Sequence, residues 1–400
     1  MNPWPVARAA LRRGWRTAVL LGLLVALAVA LGTGVSALER GLRRGAAAAA
    51  DPFDLLVGAP GSPTQLVLTA VYLQPDTVPL LPGAVLARVM AEPQVAWASP
   101  IGFGDQWRGH PVVGVAPAFL TQGGRRAAAE GRMFEAEGEA VVGAAVAIRL
   151  GDTLTPQHGR VAVPGAHTHE DVAYTVVGRL PRTGGPWDRA VLVPIESVWE
   201  VHGLGNGHAA GTERVGPPWE IPPPVPAVAV GARDVAGAYQ LRARYRAGPD
   251  STAVFPGEVL AALFRTLGDV GAVLSGMAAA ATALVLAAVF LAFAALASTR
   301  RREHAVLRAL GAPPAFIVGA SWLEMAAVLG GGVVAGLALG WIGAVLAADA
   351  VAQSAGAPVV VRPGLDEAAL AGAVLLAGLA AAAVPALLSS RAGPGAELKR

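Results

Sequence analysis

The chain has 400 residues, of which 54% are hydrophobic and 15% charged, with a mean hydropathy of +0.52. Soluble domains carry about one-quarter charged residues, so this balance argues against an ordinary cytosolic enzyme and for a membrane protein. The absence of cysteine excludes disulfides, thiolate metal sites and cysteine nucleophiles, and a net charge of +3 implies no nucleic-acid partner.

A helix needs about 20 residues to cross roughly 30 Å of hydrocarbon. Residues 17–38 form the first uncharged apolar run of that length, between Arg16 and Glu39. It exceeds the 7–15 residues of a signal-peptide core, so it reads as an uncleaved anchor. The second run covers 270–299, between Asp269 and Arg300. The third, 316–348, is interrupted only by Glu324, and the fourth, 368–390, lies between Glu367 and Arg391. Backbone groups in lipid must pair internally, so each run is expected to be a helix.

Basic residues set the orientation. Arg8, Arg12, Arg13 and Arg16 precede the first run. Arg300, Arg301, Arg302 and Arg308 stand between the second and third, and Arg391, Lys399 and Arg400 follow the fourth. The short connection 349–367 holds Arg362 against Asp349, Asp366 and Glu367. Residues 1–16, 300–315 and 391–400 are therefore expected on the cytoplasmic side. Residues 39–269 and 349–367 are expected outside.

The large segment 39–269 has slightly more acids than bases and reads as an α+β domain. Alternating or β-branched runs between turn signals predict strands at 112–115, 140–143, 174–178 and 190–193. Segments 84–91 and 144–150 are expected to be short helices. Residues 203–226, with Gly-Leu-Gly-Asn-Gly and Pro222-Pro223-Pro224, read as a long loop serving as a linker.

The segment Ser298-Thr-Arg-Arg-Arg-Glu303-His-Ala-Val-Leu-Arg308-Ala-Leu-Gly311-Ala312 resembles the cytoplasmic segment after the second span in MacB/FtsX/LolC-type permeases of ABC transport systems. Glu324 and Gly330-Gly331-Gly332 follow it in the same order. In the outer domain, Gly131-Arg132-Met133-Phe134, Val141-Val142-Gly143, Leu150-Gly151-Asp152-Thr153 and Tyr174-Thr-Val-Val-Gly178 resemble the MacB-type periplasmic domain. The resemblance implies four transmembrane helices with an α+β extracytoplasmic domain inserted between the first and second. It also implies a non-catalytic permease in a bacterial inner membrane, working as a dimer with a second copy or homologue. ATP and magnesium would be bound by a separate ATPase, whose hydrolysis drives movements of the outer domain by mechanotransmission. A periplasmic or outer-membrane partner and the membrane lipids complete the expected contacts. An FtsX-like subunit activating an extracellular hydrolase and an ATP-independent anchored binding protein are the alternatives.

The residues agree with a separate energy source. A P-loop needs a lysine after a glycine-rich turn, and the one lysine of this chain, Lys399, lies outside any such turn. The candidate coupling residues are Arg302, Glu303, Val306, Leu307, Arg308, Leu310 and Gly311. Helical spacing groups Val306, Leu307 and Leu310 on one apolar face, and Gly311 with Pro313-Pro314 should end that helix. Gly332, Gly336 and Gly340 make a small-residue ridge suited to close helix approach, either within the chain or in a dimer. Glu324 is an acid within a span, expected to serve a structural bond. His167 and His169 are candidate metal ligands, with His158 and His202 as further members of a set, but a solvated loop without metal is the expectation. Helical spacing also sets Glu196, Trp199 and His202 on one face.

Overall fold

The computed structural model describes residues 2–74, 77–158, 167–168, 172–209, 211–212, 214–246, 248–299, 301–355 and 359–390. The chain divides into two units. One comprises Met1–Leu42, Leu267–Val351 and Val359–Arg400; the other comprises Arg43–Thr266 and Ala352–Pro358.

In chain order, helices α1 (Trp4–Arg13) and α2 (Trp15–Ala50) come first. Strand β1 (Leu55–Gly58), helices α3 (Pro63–Tyr72) and α4 (Gly83–Met90), strands β2 (Val95–Trp107) and β3 (His110–Val115) and helix α5 (Pro117–Thr121) follow. Next come β4 (Glu130–Gly131), β5 (Glu139–Val142), β6 (Thr153–Leu154), β7 (Gln157–His158), β8 (His167–Thr168), β9 (Tyr174–Arg179) and β10 (Val191–Pro194). Helix α6 (Ile195–Val201), β11 (Ala227–Ala232), α7 (Val235–Tyr245) and β12 (Thr252–Val254) complete the sheet region. The chain ends with α8 (Pro256–Thr299), α9 (Arg301–Ala309), α10 (Pro314–Ala355) and α11 (Leu365–Ser390).

Four of these helices are long and apolar enough to cross a membrane: Trp15–Ala50, Ala279–Leu296 within α8, Pro314–Ala352 within α10, and Leu365–Val384 within α11. Leu21, Val25 and Val29 of α2, Val289 and Phe293 of α8, Met325, Val328, Leu329 and Val333 of α10, and Val374 of α11 form their common core. In lipid such helices are held by close packing, because exposed and buried apolar faces see equally apolar surroundings.

The second unit is built on one sheet, ordered β12-β1-β11-β2-β3-β10-β5-β9-β4, with β6, β7 and β8 attached off that path. The β10–β3 and β5–β9 pairs are parallel; the others are antiparallel. Strand β9 alternates buried and half-buried residues along Tyr-Thr-Val-Val-Gly-Arg, as a sheet with period-two side chains requires. Gly102 and Gly114 face each other across β2 and β3. Both lack a side chain where Ile195 and Val198 of α6 come down onto the sheet, so α6 sits closer than any larger pair would permit. Phe119 joins Trp187 at 4.5 Å and Phe53 at 5.9 Å between ring centroids, with Trp97 edge-on at 6.2 Å. Capping follows local chemistry: Ser62 Oγ accepts Gln65 N–H at the start of α3, and Asp234 Oδ1 accepts Gly237 N–H at the start of α7.

The four expected strands are present as β3, β5, β9 and β10, and the helix expected at 84–91 is α4. The helix expected at 144–150 is absent. The carbonyls of Val146 and Ile148 accept from the Arg179 guanidinium instead, and Gly151, at φ 87°, donates its N–H to Val176 O. A side chain outside the segment thus satisfies the acceptors that a helix would have used internally. The tail 391–400, Arg300 and His169 lie outside the described residues.

Candidate functional site

Helix α9 is a single short helix between α8 and α10, and its end is well defined. Gly311 takes φ 91°, its N–H bonds to Arg308 O at 3.0 Å, and Ala312 N–H bonds to Leu307 O at 3.0 Å. This paired closure with a left-handed glycine is a Schellman stop. Pro313 then interrupts, and Pro314 opens α10, where its missing N–H costs nothing. Leu307 turns inward and packs against the cluster Ala312, Phe316 and Ile317 at the α9–α10 corner, which Val6 of α1 also covers. Val306 and Leu310, one turn apart, remain 47% and 80% exposed. The apolar trio therefore divides: Leu307 holds the corner together, while Val306 and Leu310 form an outward face. Arg308 is half-buried on the same helix.

Glu303 pairs with Arg13 of α1 at 2.7 Å, with both side chains largely exposed. Such a surface pair contributes about 0–1 kcal/mol, so it orients α1 against α9 more than it stabilises them. The side chain of Arg302 lies outside the described residues.

Gly332, Gly336 and Gly340 face α2. A Cβ at Gly336 would stand 2.6 Å from Ala26 O and 2.7 Å from Val29 Cβ, and one at Gly332 would stand 2.8 Å from Gly22 O. A Cβ at Gly340 would collide with Thr33 Oγ1. Thr33 is buried and donates its hydroxyl back to Val29 O at 2.8 Å, so that hydroxyl is satisfied within its own helix. The ridge is filled from within the chain. Glu324, 8% exposed, lies on α10 beside the core residue Met325. At another end of the bundle, Arg40 of α2 is ion-paired with Glu367 and stands 3.6 Å from Asp366, both in the first turn of α11. Glu367 also accepts Gly364 N–H at 2.9 Å, which caps α11 with a charge that suits its N-terminus.

In the sheet unit, β7 and β8 set His158 opposite His167 along the backbone, with the side chains of both outside the described residues. Among the described residues no group of His, Cys, Asp and Glu is arranged to hold a metal ion. His202 is turned to its own helix, with Nδ1 2.8 Å from Val198 O. Glu196 and Trp199 are buried with the loop 203–226 against them. Sequence reasoning grouped Glu196 with Trp199 by helical spacing but could not see that Gly216 and Trp219, some 20 residues on, would close over the carboxylate.

Residues 275–394 match the family model described as FtsX-like permease C-terminal. That interval takes in the latter part of α8, the whole of α9 and α10, and α11. No curated protein matches the chain. Among solved structures, the periplasmic region of MacB from Actinobacillus actinomycetemcomitans aligns over 53% of this chain and 94% of its own length, at 9% identity and a TM-score of 0.33. The extracellular domain of the noncanonic ABC-type transporter YknZ from Gram-positive bacteria aligns over 50% of this chain and 98% of its own, at 10% identity and a TM-score of 0.29. Likenesses this distant carry no functional conclusion.

Proposed function

We propose that this chain, which carries an FtsX-like permease domain over residues 275–394, is the permease subunit of an ABC transport system. A separate ATPase binds ATP and magnesium and docks on α9. The movement it produces passes through the spans to the outer domain, inserted between the first and second spans, and the substrate is handled at the outer face. The permease itself performs no bond chemistry, binds no nucleic acid and works as a dimer in a bacterial inner membrane, with both termini cytoplasmic.

The observation that carries this reading is the outward face of Val306 and Leu310 on a helix inside the matched domain. An exposed apolar pair on a short, firmly stopped helix between two spans is a surface for a partner. The helix is also fixed to its neighbours through Leu307, Phe316 and Ile317, so force applied to α9 reaches α10. The spans support mechanical transmission over a hydrophilic channel, because Glu324 is the one acid inside the third run and it is buried.

Affinity purification of the tagged chain from its native membrane is expected to bring down an ATPase with Walker motifs. Recovery of the intact chain without any ATPase would remove the reading. Reporter fusions address the topology separately. They should report outside near Gly205 and Gly356, and inside near Ala312 and after Arg400; one reversed reporter breaks the arrangement.

A further inference from the structure

Helix α1 does not prolong the first span. Helices α2 and α10 run side by side in one direction: a Cβ at Gly22 would stand 3.8 Å from Val328 O, and one at Gly34 would stand 3.3 Å from Gly340 O. Each helix covers twelve residues between those contacts, and the same offset sets Trp15 level with Ser321. At the far end of α1, Pro3 touches α10 at Gly319, where a Cβ would stand 3.4 Å from Pro3 Cγ. The two ends of α1 therefore differ in depth by about 3 Å, whereas a straight continuation of α2 would descend about 18 Å from Trp15 to Pro3. The chain turns at Gly14, and α1 lies across the end of the spans.

That level is the edge of the hydrocarbon. Trp15, Val19, Leu23, Leu27 and Leu31 recur every four residues along α2, and all are exposed. Such a stripe faces lipid, and Trp15, 57% exposed, stands at its end, where indoles settle at the membrane–water boundary. Helix α1 is spread along the same boundary with its two faces sharply divided. On the inner face Ala7 is buried, Val6 covers the cluster Ala312, Phe316 and Ile317, and Leu11 packs against the core of the spans. On the outer face Trp4, Arg8 and Arg12 follow one another at helical spacing, and all are exposed. The apolar side is thus used within the protein, and charge with indole is what α1 offers to the membrane.

We propose that Arg8 and Arg12, flanked by Trp4 and by the Trp15–Arg16 pair, form a site for the phosphate of anionic phospholipid headgroups. Charge complementarity and depth together select this occupant. No acid precedes Glu39 in the chain, and Arg13 is already paired with Glu303 of α9. The Arg16 guanidinium lies 5.7 Å over the Trp15 ring, at the end of the lipid-facing stripe. Guanidinium groups bind phosphate oxygens in pairs, and an anionic leaflet concentrates those oxygens at the depth where α1 lies. The site rests on the spans alone and not on the ATPase reading.

The test uses the full chain in nanodiscs of phosphatidylglycerol and phosphatidylcholine in equal parts. Either lipid in turn carries a photoreactive group near its headgroup, and crosslinks are mapped by peptide. Phosphatidylglycerol is expected to label residues 1–20 well above phosphatidylcholine, and excess inorganic phosphate should not displace it. Arg8→Gln with Arg12→Gln leaves Arg13 and Arg16 to hold the orientation. An arginine at an anionic surface is worth about fivefold in affinity, so this pair should cut the excess at least tenfold. Arg125→Gln with Arg246→Gln, an equal loss of charge in the sheet unit, should leave it unchanged. Equal labelling by the two lipids in the unaltered chain overturns the site, whatever the variants do. So does an excess that survives in Arg8→Gln with Arg12→Gln, or one that inorganic phosphate removes, which would make this a free-anion site. If that double variant labels like the unaltered chain but loses a co-purifying protein, the face belongs to a protein partner and the lipid site falls.

Discussion

Val306→Glu combined with Leu310→Glu is expected to abolish co-purification of the ATPase and, with it, ATP-dependent function, while the chain still folds and inserts. The two side chains lie one turn apart and present their surfaces outward, at 47% and 80% exposure. Burying one such residue in a partner contributes about 1.5–3 kcal/mol, and a carboxylate there forfeits that contribution and adds a charge to be desolvated. Each 1.4 kcal/mol is a factor of ten in affinity, so the pair should weaken docking at least tenfold, and by roughly a hundredfold if both contacts are central. Leu307→Glu makes an informative contrast. Leu307 lies against the cluster Ala312, Phe316 and Ile317, so a charge there disturbs the corner itself and lowers the yield of the chain. Unchanged ATPase recovery with a well-expressed double variant would remove α9 from the coupling path.

The membrane part was legible because its rules are few. Uncharged runs of helical length between arginines and acids predict the spans from hydropathy alone, and α2, α8, α10 and α11 contain them. The stop of α9 was also legible, because Gly311 followed by two prolines leaves the backbone few options. What the sequence withheld was partnership at a distance. The glycine ridge on α10 offered close approach to some helix, and periodicity could not say that Gly22, Val25, Ala26 and Val29 of α2 would fill it. The trio 306, 307 and 310 looked like one apolar face, because spacing along a helix does not reveal that Ala312, Phe316 and Ile317 claim Leu307. In the sheet unit the alternating strands stood out, but the helices α3 and α7 and the length of β2 did not, and in the other unit α1 did not. The helix expected at 144–150 failed for a similar reason: the acceptors of Val146 and Ile148 belong to Arg179, about 30 residues later. Glu196 is the sharpest case, since its ligating N–H groups come from a segment whose composition suggests only a linker.

Gly336→Leu is expected to separate α2 from α10 and to destabilise the membrane unit more than any other single change on that ridge short of Gly340. Any side chain at 336 begins with a Cβ 2.6 Å from Ala26 O and 2.7 Å from Val29 Cβ. The first of these neighbours is backbone within a helix, so it cannot rotate away, and the two helices themselves must part. Overpacking of this kind costs about 1–3 kcal/mol. The cost is compounded here because lipid gives spans no solvent-driven reason to stay together once their close contact is lost. Gly336→Ala isolates the first methyl and should show a smaller loss of the same sign. Gly343→Leu is the matched control: it lies on the same helix, and a Cβ there meets nothing within 4 Å. Thermal unfolding in detergent should rank the four chains with the unaltered protein and Gly343→Leu together at the top, Gly336→Ala below them and Gly336→Leu lowest. If Gly336→Leu and Gly343→Leu melt alike, the α2–α10 seam does not hold the bundle. A loss of function in Gly336→Ala at unchanged melting temperature would separate transmission from stability. It would place the path from α9 to the first span along this seam, since α10 is fixed to α9 at one end and to α2 along its length.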